Sequence, residues 1–281
     1  MNINKIKSLM QECIQQDVEE ARTIGKHGYM CRCLVMATMP HKDPKKNEFE
    51  RTSGAFTLNM ISPAHVGLPY GTKPRLIMAF ISRQAVLKKN PHISLGRNLA
   101  DFMRQLGLES SGRPIAMVKD QMKRLFNTTI SYQENTLQAR RRSGRFGISS
   151  EEVTFWSHNN PLQDNLWEST VTLTHEFYTE IITNPVSLDL RALQMLKESS
   201  MGLDIYCWLT FRMSYLKQPT EIPWEYLMLQ FGSEYNILYD FKRKFLIQLE
   251  KVLLCYPEAK VHIGKYGIWL HPSPTHIPML R

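Results

Sequence analysis

Four short stretches hold residue types that do chemistry in other proteins, and their spacing sorts them. Gly71-Thr72-Lys73-Pro74-Arg75 places a lysine after a glycine, but a loop that cradles phosphates needs GxxxxGK[ST], which the chain does not contain. His175-Glu176-Phe177-Tyr178-Thr179-Glu180 begins like a zinc-protease helix and lacks the second histidine. Cys31-x-Cys33, with His27 nearby, offers soft ligands, yet no second ligand pair at zinc spacing follows, so the spacing predicts no metal site. No paired histidines with a nearby tyrosine suggest a strand-nicking centre, and no carboxylate set stands out for a metal nuclease. The sequence thus predicts no catalytic residue and no cofactor, and the chain reads as a binding protein rather than an enzyme. The fourth stretch, YDFKRKFLIQLEKV (239–252), fits that reading. Phe241, Phe245, Leu249 and Val252 recur at helical steps, while Lys242, Arg243 and Lys244 crowd one turn. A helix carrying such cations and donors is either a surface helix with a solvated basic side or one that enters a groove of DNA.

Composition bounds the choice. The 281 residues suffice for two domains of ordinary size, and 43% hydrophobic with 22% charged residues is a normal globular balance. A net charge of +9 and a pI near 9.3 favour a polyanion as partner, either nucleic acid or an anionic membrane surface. The opening MNINKIKSLMQECIQQDVEEART carries no apolar core of signal-peptide length, and no stretch approaches the roughly eighteen apolar residues of a membrane span. Neither secretion nor a membrane span is expected, and a membrane-surface partner fits the charge but not the repeated helix–helix–helix–hairpin order of the elements. Cys13, Cys31, Cys33, Cys207 and Cys255 are an odd, scattered set and read as reduced cytosolic thiols.

The elements that must position the basic stretch come in a repeated order. Residues 5–22 predict an opening helix with Ile6, Leu9, Cys13, Ile14 and Val18 along one side. CLVMATM (33–39) and GAFTLNM (54–60) read as strands, with the polar loop PHKDPKKNEFERTS between them. A helix follows to about Lys88, its start punctuated by Pro69, Gly71 and Pro74; a second covers 97–108, SSGRP (110–114) turns the chain, and a third covers 115–126. TTISYQ (128–133), EVTFWS (152–157) and STVTLTHEF (169–177) read as strands, and the basic link ENTLQARRRSGRFGISS as a mobile loop. A second pass is more compact: a helix over 200–217, a short one over 222–232, a third over 234–254 capped by Ser233, and a hairpin around Gly264–Gly267. Tyr206, Trp208, Phe211 and Trp224 have helical spacing and read as core. Three helices and a hairpin therefore occur twice, which is the winged-helix arrangement, and 239–252 falls in the groove-reading third helix of the second pass.

The chain also resembles the RepA-type replication initiators of bacterial plasmids. The likeness rests on LPYGTKPRLIMAFI (68–81), FMRQLGL (102–108), MKRLFNTTIS (122–131), VSLDLRALQMLKESSMGLDIYCWLTFRMSYLKQPTEIPWEYLMLQFG (186–232), DFKRKFLIQLEKVLLCYPEAKV (240–261) and LHPSP (270–274). It covers roughly 53–276 and leaves out the first thirty residues and the loop at 134–150. It implies two tandem winged-helix domains, and with the opening helix read over 5–22 the expected fold is α+β, mostly helical: two tandem winged-helix domains preceded by an N-terminal helix. The divisions expected are 1–30, 31–185 and 186–281, with VSLDL (186–190) opening the second domain. It further implies a bacterial cytoplasmic protein that binds direct repeats in double-stranded origin DNA, helps open the duplex, and recruits the host initiator and replicative helicase machinery. In such initiators the second domain dominates site recognition, while the first contacts DNA and mediates dimerisation; strands 33–39 and 54–60 are the candidates for self-association here.

Contact residues follow from helical geometry alone. With Leu238, Phe241, Phe245 and Leu249 buried, the opposite face of the third helix holds Asn236, Tyr239, Asp240 and Arg243. Arg243 suits guanine and Asn236 adenine; Lys244 suits a phosphate, Tyr235 lies at the edge, and Lys242 reaches DNA only by extending its stem outward. The hairpin offers Lys260, Lys265 and Tyr266, with His262 weaker. In the first unit, 97–145 holds ten Lys or Arg against four acids. Arg113, Lys119, Lys123 and Arg124 lie on or beside its third helix, and Arg140, Arg141, Arg142 and Arg145 on the basic loop suit phosphate or minor-groove contact. A transcriptional repressor without a replication role fits the same domains, but would favour a dimer on an inverted repeat.

Overall fold

The computed structural model describes residues 27–135, 141–150, 169–232 and 235–277. The expected opening helix, the strand at 152–157, Arg140 and the Ser233 cap lie outside them. The first half begins with a fully buried strand β1 (His27–Cys31) and a short helix α1 (Arg32–Met36). Strands β2 (Glu48–Ser53) and β3 (Phe56–Ile61) follow, then α2 (Thr72–Lys88), β4 (His92–Ser94), α3 (Leu99–Gln105), α4 (Gly112–Phe126), β5 (Thr129–Asn135) and β6 (Arg141–Gly147). Strand β7 (Thr170–Thr172) and helix α5 (His175–Thr183) close it. The sheet runs β2-β3-β5-β6, antiparallel throughout, and β7 pairs with β4. Its inner face is built by alternation: Phe56, Leu58 and Met60 lie beside Ile130, Tyr132 and Phe146, all buried. Phe56 stacks on Tyr132 at 5.4 Å, and Phe177 of α5 covers Phe146 at 5.1 Å.

Several expectations need correction. CLVMATM is not a strand; its first residues form α1, because a run buried on every side has no periodicity to separate helix from strand. The polar loop before residue 54 contains β2, an edge strand whose inward residues are Phe49 and Arg51. The guanidinium of buried Arg51 donates to Thr38 Oγ1 and, at 2.6 Å, to the carbonyl of Gln230. The basic loop contains β6, paired along its length with β5, whose last two residues it also supplies. His175, Glu176 and Phe177 open a helix, with the Thr174 hydroxyl accepting from Phe177 N at 3.3 Å as its cap. Neither segment named for self-association is a free strand edge, since 33–36 is helical and β3 lies between β2 and β5.

The second half starts at β8 (Pro185–Asp189), which pairs antiparallel with β1 and so joins the two ends of the first half. Helix α6 (Leu190–Leu196), which the sequence reading missed, is capped by Asp189, whose carboxylate accepts from Arg191 N at 2.8 Å. Then come α7 (Ser200–Met213), β9 (Thr220–Pro223), α8 (Trp224–Phe231), α9 (Leu238–Cys255), β10 (Val261–Ile263) and β11 (Gly267–Leu270). Residues 201–210 of α7 are buried without a break, which explains why its sequence is apolar all round. Tyr206, Trp208 and Trp224 are core as expected, and Phe211 is half-buried.

One polar cluster fastens the halves together. Arg75 of α2 presents Nε and Nη2 to the two oxygens of Asp204 on α7, both at 2.7 Å, and His41 Nε2 lies 2.8 Å from Asp204 Oδ2. The remaining guanidinium hydrogens go to the carbonyls of Met39, Gly71 and Pro40. Burial alone would raise the Asp204 carboxyl, but Arg75 and His41 outweigh it and hold it below the ordinary value. Burial pushes His41 the other way, toward the neutral imidazole. Among the described residues, no helix is long and apolar enough to cross a membrane.

Candidate nucleic-acid interface

Helix α9 keeps the face its sequence promises. Phe241, Phe245, Leu249 and Val252 are fully buried, and Phe245 packs on Trp224 and Phe231 at 6.0 and 5.6 Å. The helix begins at Leu238, four residues later than expected, with Ile237 as its cap residue. Asn236 is exposed but precedes the helix, so it does not share the outward face. Tyr235 is half-buried against Phe241 at 5.8 Å and is held inward. What remains on the outside is a stripe of Tyr239, Arg243 and Ile247, with Lys244 flanking it. Tyr239 is 74% exposed. The Arg243 guanidinium lies 3.7 Å from Asp240, a loose surface pair that water and salt screen and that a stronger partner can displace.

Lys242 does not reach outward. Its Nζ sits 4.6 Å from the centre of the Trp224 ring, where the negative face of the indole attracts it. The backbone N–H of the same Trp224 donates to the carbonyl of Tyr266 at 3.0 Å. Trp224 thereby joins the basic turn of α9 to the base of the β10–β11 hairpin. The hairpin lies in a three-stranded sheet ordered β10-β11-β9, with Gly267 opposite Pro223. A Cβ at Gly267 would meet the Ile222 carbonyl, its carbon at 2.8 Å, so only glycine lets these strands approach. Lys260, His262, Lys265 and Tyr266 are all exposed, and Lys265 Nζ lies 5.1 Å from the Tyr266 ring. Ile263 and Trp269 add exposed apolar surface that the search for cations and donors does not pick out.

The first unit supplies a second basic surface with fewer free cations than expected. On α4, Arg113 and Lys123 are exposed and Lys119 is half-buried. Arg124 is committed internally: it donates to Asp120 at 2.9 Å and to the Leu68 carbonyl at 3.3 Å, lies 3.8 Å from Asp43, and covers the Tyr70 ring. Strand alternation divides the arginines of β6. Arg142 stands opposite Glu134 on the Phe146 side, and Arg145 stands opposite Ser131 on the outer face. Both are exposed.

Three comparisons bear on this arrangement. A family model described as plasmid-encoded RepA protein matches residues 68–225. No curated protein matches the chain. Two crystal structures of domains 2 and 3 of RctB share its fold. One aligns with a TM-score of 0.54 at 14% identity, covering 88% of this chain and 99% of that one. The other aligns with a TM-score of 0.50 at 14% identity, covering 84% and 93%.

Proposed function

The chain belongs to the family of plasmid-encoded RepA proteins, and from that membership we propose that it is a replication initiator that binds repeated double-stranded sites at a plasmid origin. Both halves run helix, strand, helix, helix, strand, strand, over 72–147 and again over 200–270, which supports two winged-helix units divided near residue 185. The observation that carries the DNA reading is the outward stripe of α9, Tyr239 and Arg243 with Lys244 beside it, next to a hairpin anchored on the same Trp224. In this reading Arg243 and Tyr239 meet base edges, and Lys244, Lys260, Lys265 and Tyr266 meet the backbone or minor groove. Arg113, Lys119 and Lys123 of α4, and Arg142 and Arg145 on the two faces of β6, offer further phosphate contacts. Duplex opening, self-association and recruitment of the host initiator and helicase in the bacterial cytoplasm complete the role.

A circle carrying the gene, its flanking DNA and a resistance marker, with no other origin, tests this. It should establish itself in the host, and Arg243→Ala should abolish establishment at undiminished protein level. Failure of the parental circle, together with silencing of a reporter placed behind the same flanking DNA, would make the protein a repressor instead.

A further inference from the structure

DNA binding leaves one buried set of reactive groups unused. Cys31 ends β1, Cys33 lies in α1, and Glu180 faces them from α5; their two sulfurs and one carboxylate oxygen all lie within 4.8 Å of one another. The sulfurs are 3.2 Å apart, and neither cysteine has exposed surface. Glu180 Oε2 accepts from the Tyr132 hydroxyl at 3.0 Å. Its Oε1 is buried with no hydrogen-bond partner among the described residues, a costly arrangement unless something binds there.

We propose that Cys31, Cys33 and Glu180 hold a single zinc-like divalent cation. Two thiolates and a carboxylate suit a borderline-soft ion that accepts tetrahedral geometry. On binding, two S–H bonds break, two protons leave to solvent and two sulfur–metal bonds form, with no change of oxidation state. Sulfurs sharing one tetrahedral zinc at about 2.3 Å stand about 3.8 Å apart, so these two need move only a few tenths of an ångström. The Tyr132 hydroxyl holds Oε2 and so fixes the carboxylate, leaving Oε1 open to a ligand. Burial holds the Cys33 thiol protonated until the ion arrives, and the Arg32 guanidinium opposes that only in part, so uptake is coupled to proton release. Three ligands stand among the described residues, and water can take a fourth position. The sequence pattern pointed away from a metal because the third ligand belongs to the HEFYTE stretch, far along the chain, and only the packing of α5 on the sheet delivers it. The ion would clip β1 and α1 to α5, a structural role independent of DNA contact.

Cobalt(II) titration of the full chain, reduced and stripped with chelator, tests the site. One equivalent should bind with thiolate-to-metal charge-transfer absorption, zinc should displace it, and zinc should raise the thermal midpoint. Cys31→Ser and Cys33→Ser should lose the band. Glu180→Gln, which keeps the contact with Tyr132, should weaken uptake by about tenfold or more. Cys255→Ser, in α9, should leave the band intact. Absence of the band in the folded, reduced protein would overturn the proposal, as would its persistence in the Cys31→Ser/Cys33→Ser double variant. A Cys31–Cys33 disulfide in the isolated chain with no metal uptake after reduction would replace it with a redox pair.

Discussion

Asp204→Asn is the sharpest test of how the two halves are held together. The substitution keeps the shape of the side chain and removes its charge. Arg75, whose side chain is 3% exposed, then remains as a buried cation without a counter-ion, and an amide N–H₂ must face either the guanidinium or His41. Removing one partner of a buried pair costs about 3–5 kcal/mol. Three carbonyls, those of Met39, Gly71 and Pro40, still accept from Arg75, which places the expected loss at the lower end, about 3 kcal/mol. At about 2–4 °C per kcal/mol for a protein of this size class, the melting midpoint should fall by about 6–12 °C. Urea unfolding at neutral pH, followed by tryptophan fluorescence, reads the loss directly. Combining the change with Arg75→Met should cost clearly less than the two single losses added together, because the stranded charge is gone. A single-variant loss below about 1 kcal/mol, or simple additivity in the pair, would refute the reasoning.

Other outcomes follow from the same coordinates. Arg243→Ala should weaken binding to the specific site by about 1–3 kcal/mol and binding to random duplex far less, whereas Lys242→Met, which loses only its contact with Trp224, should lower stability by about 1 kcal/mol and leave the ratio of specific to random affinity unchanged. Gly267→Ala should displace the hairpin from β9 and reduce DNA affinity, with far-UV circular dichroism nearly unchanged, because the new methyl meets the Ile222 backbone. Arg145→Ala should lower the slope of log affinity against log salt by about 0.9 on any sequence. Burial holds His27, His41 and His276 below their ordinary value of 6.5, so the unfolded chain takes up protons first as pH falls. Stability should therefore decline from about pH 6.5 downward, and the depressed Asp204 carboxyl adds a further loss as pH falls below its ordinary value of 3.8, where the unfolded chain takes up that proton first. Denaturation series between pH 8 and pH 4 should show this direction; a protein equally stable at both ends would contradict it.

The parts legible in the sequence were those with a one-sided apolar pattern. Phe241, Phe245, Leu249 and Val252 identified the buried face of α9, because that helix rests on the core along a single stripe. Where burial is total or contact is mostly polar, the pattern fails. CLVMATM is enclosed on all sides, and β2 and β6 are edge strands whose charged residues read as loop. The pairing of β1 with β8 and the meeting of Arg75 with Asp204 join residues more than a hundred positions apart, and neither has a local signature. In the candidate interface, helical arithmetic selected Tyr239, Arg243 and Lys244, which face solvent, but could not foresee the late start of α9 that removes Asn236. Nor could it see that Trp224 would hold Lys242, or that Asp120 and the Leu68 carbonyl would hold Arg124.

The central claim is that α9 and its hairpin recognise repeated sites in duplex DNA. A nuclease footprint of the purified full chain on the DNA flanking its own gene, with excess competitor DNA, tests it most directly. Several direct repeats should be protected in phase with the helical turn, and the protection should be lost with Arg243→Ala. A single protected inverted repeat would contradict the initiator reading in favour of a repressor, and no protection above competitor would reduce the basic surface to non-specific affinity.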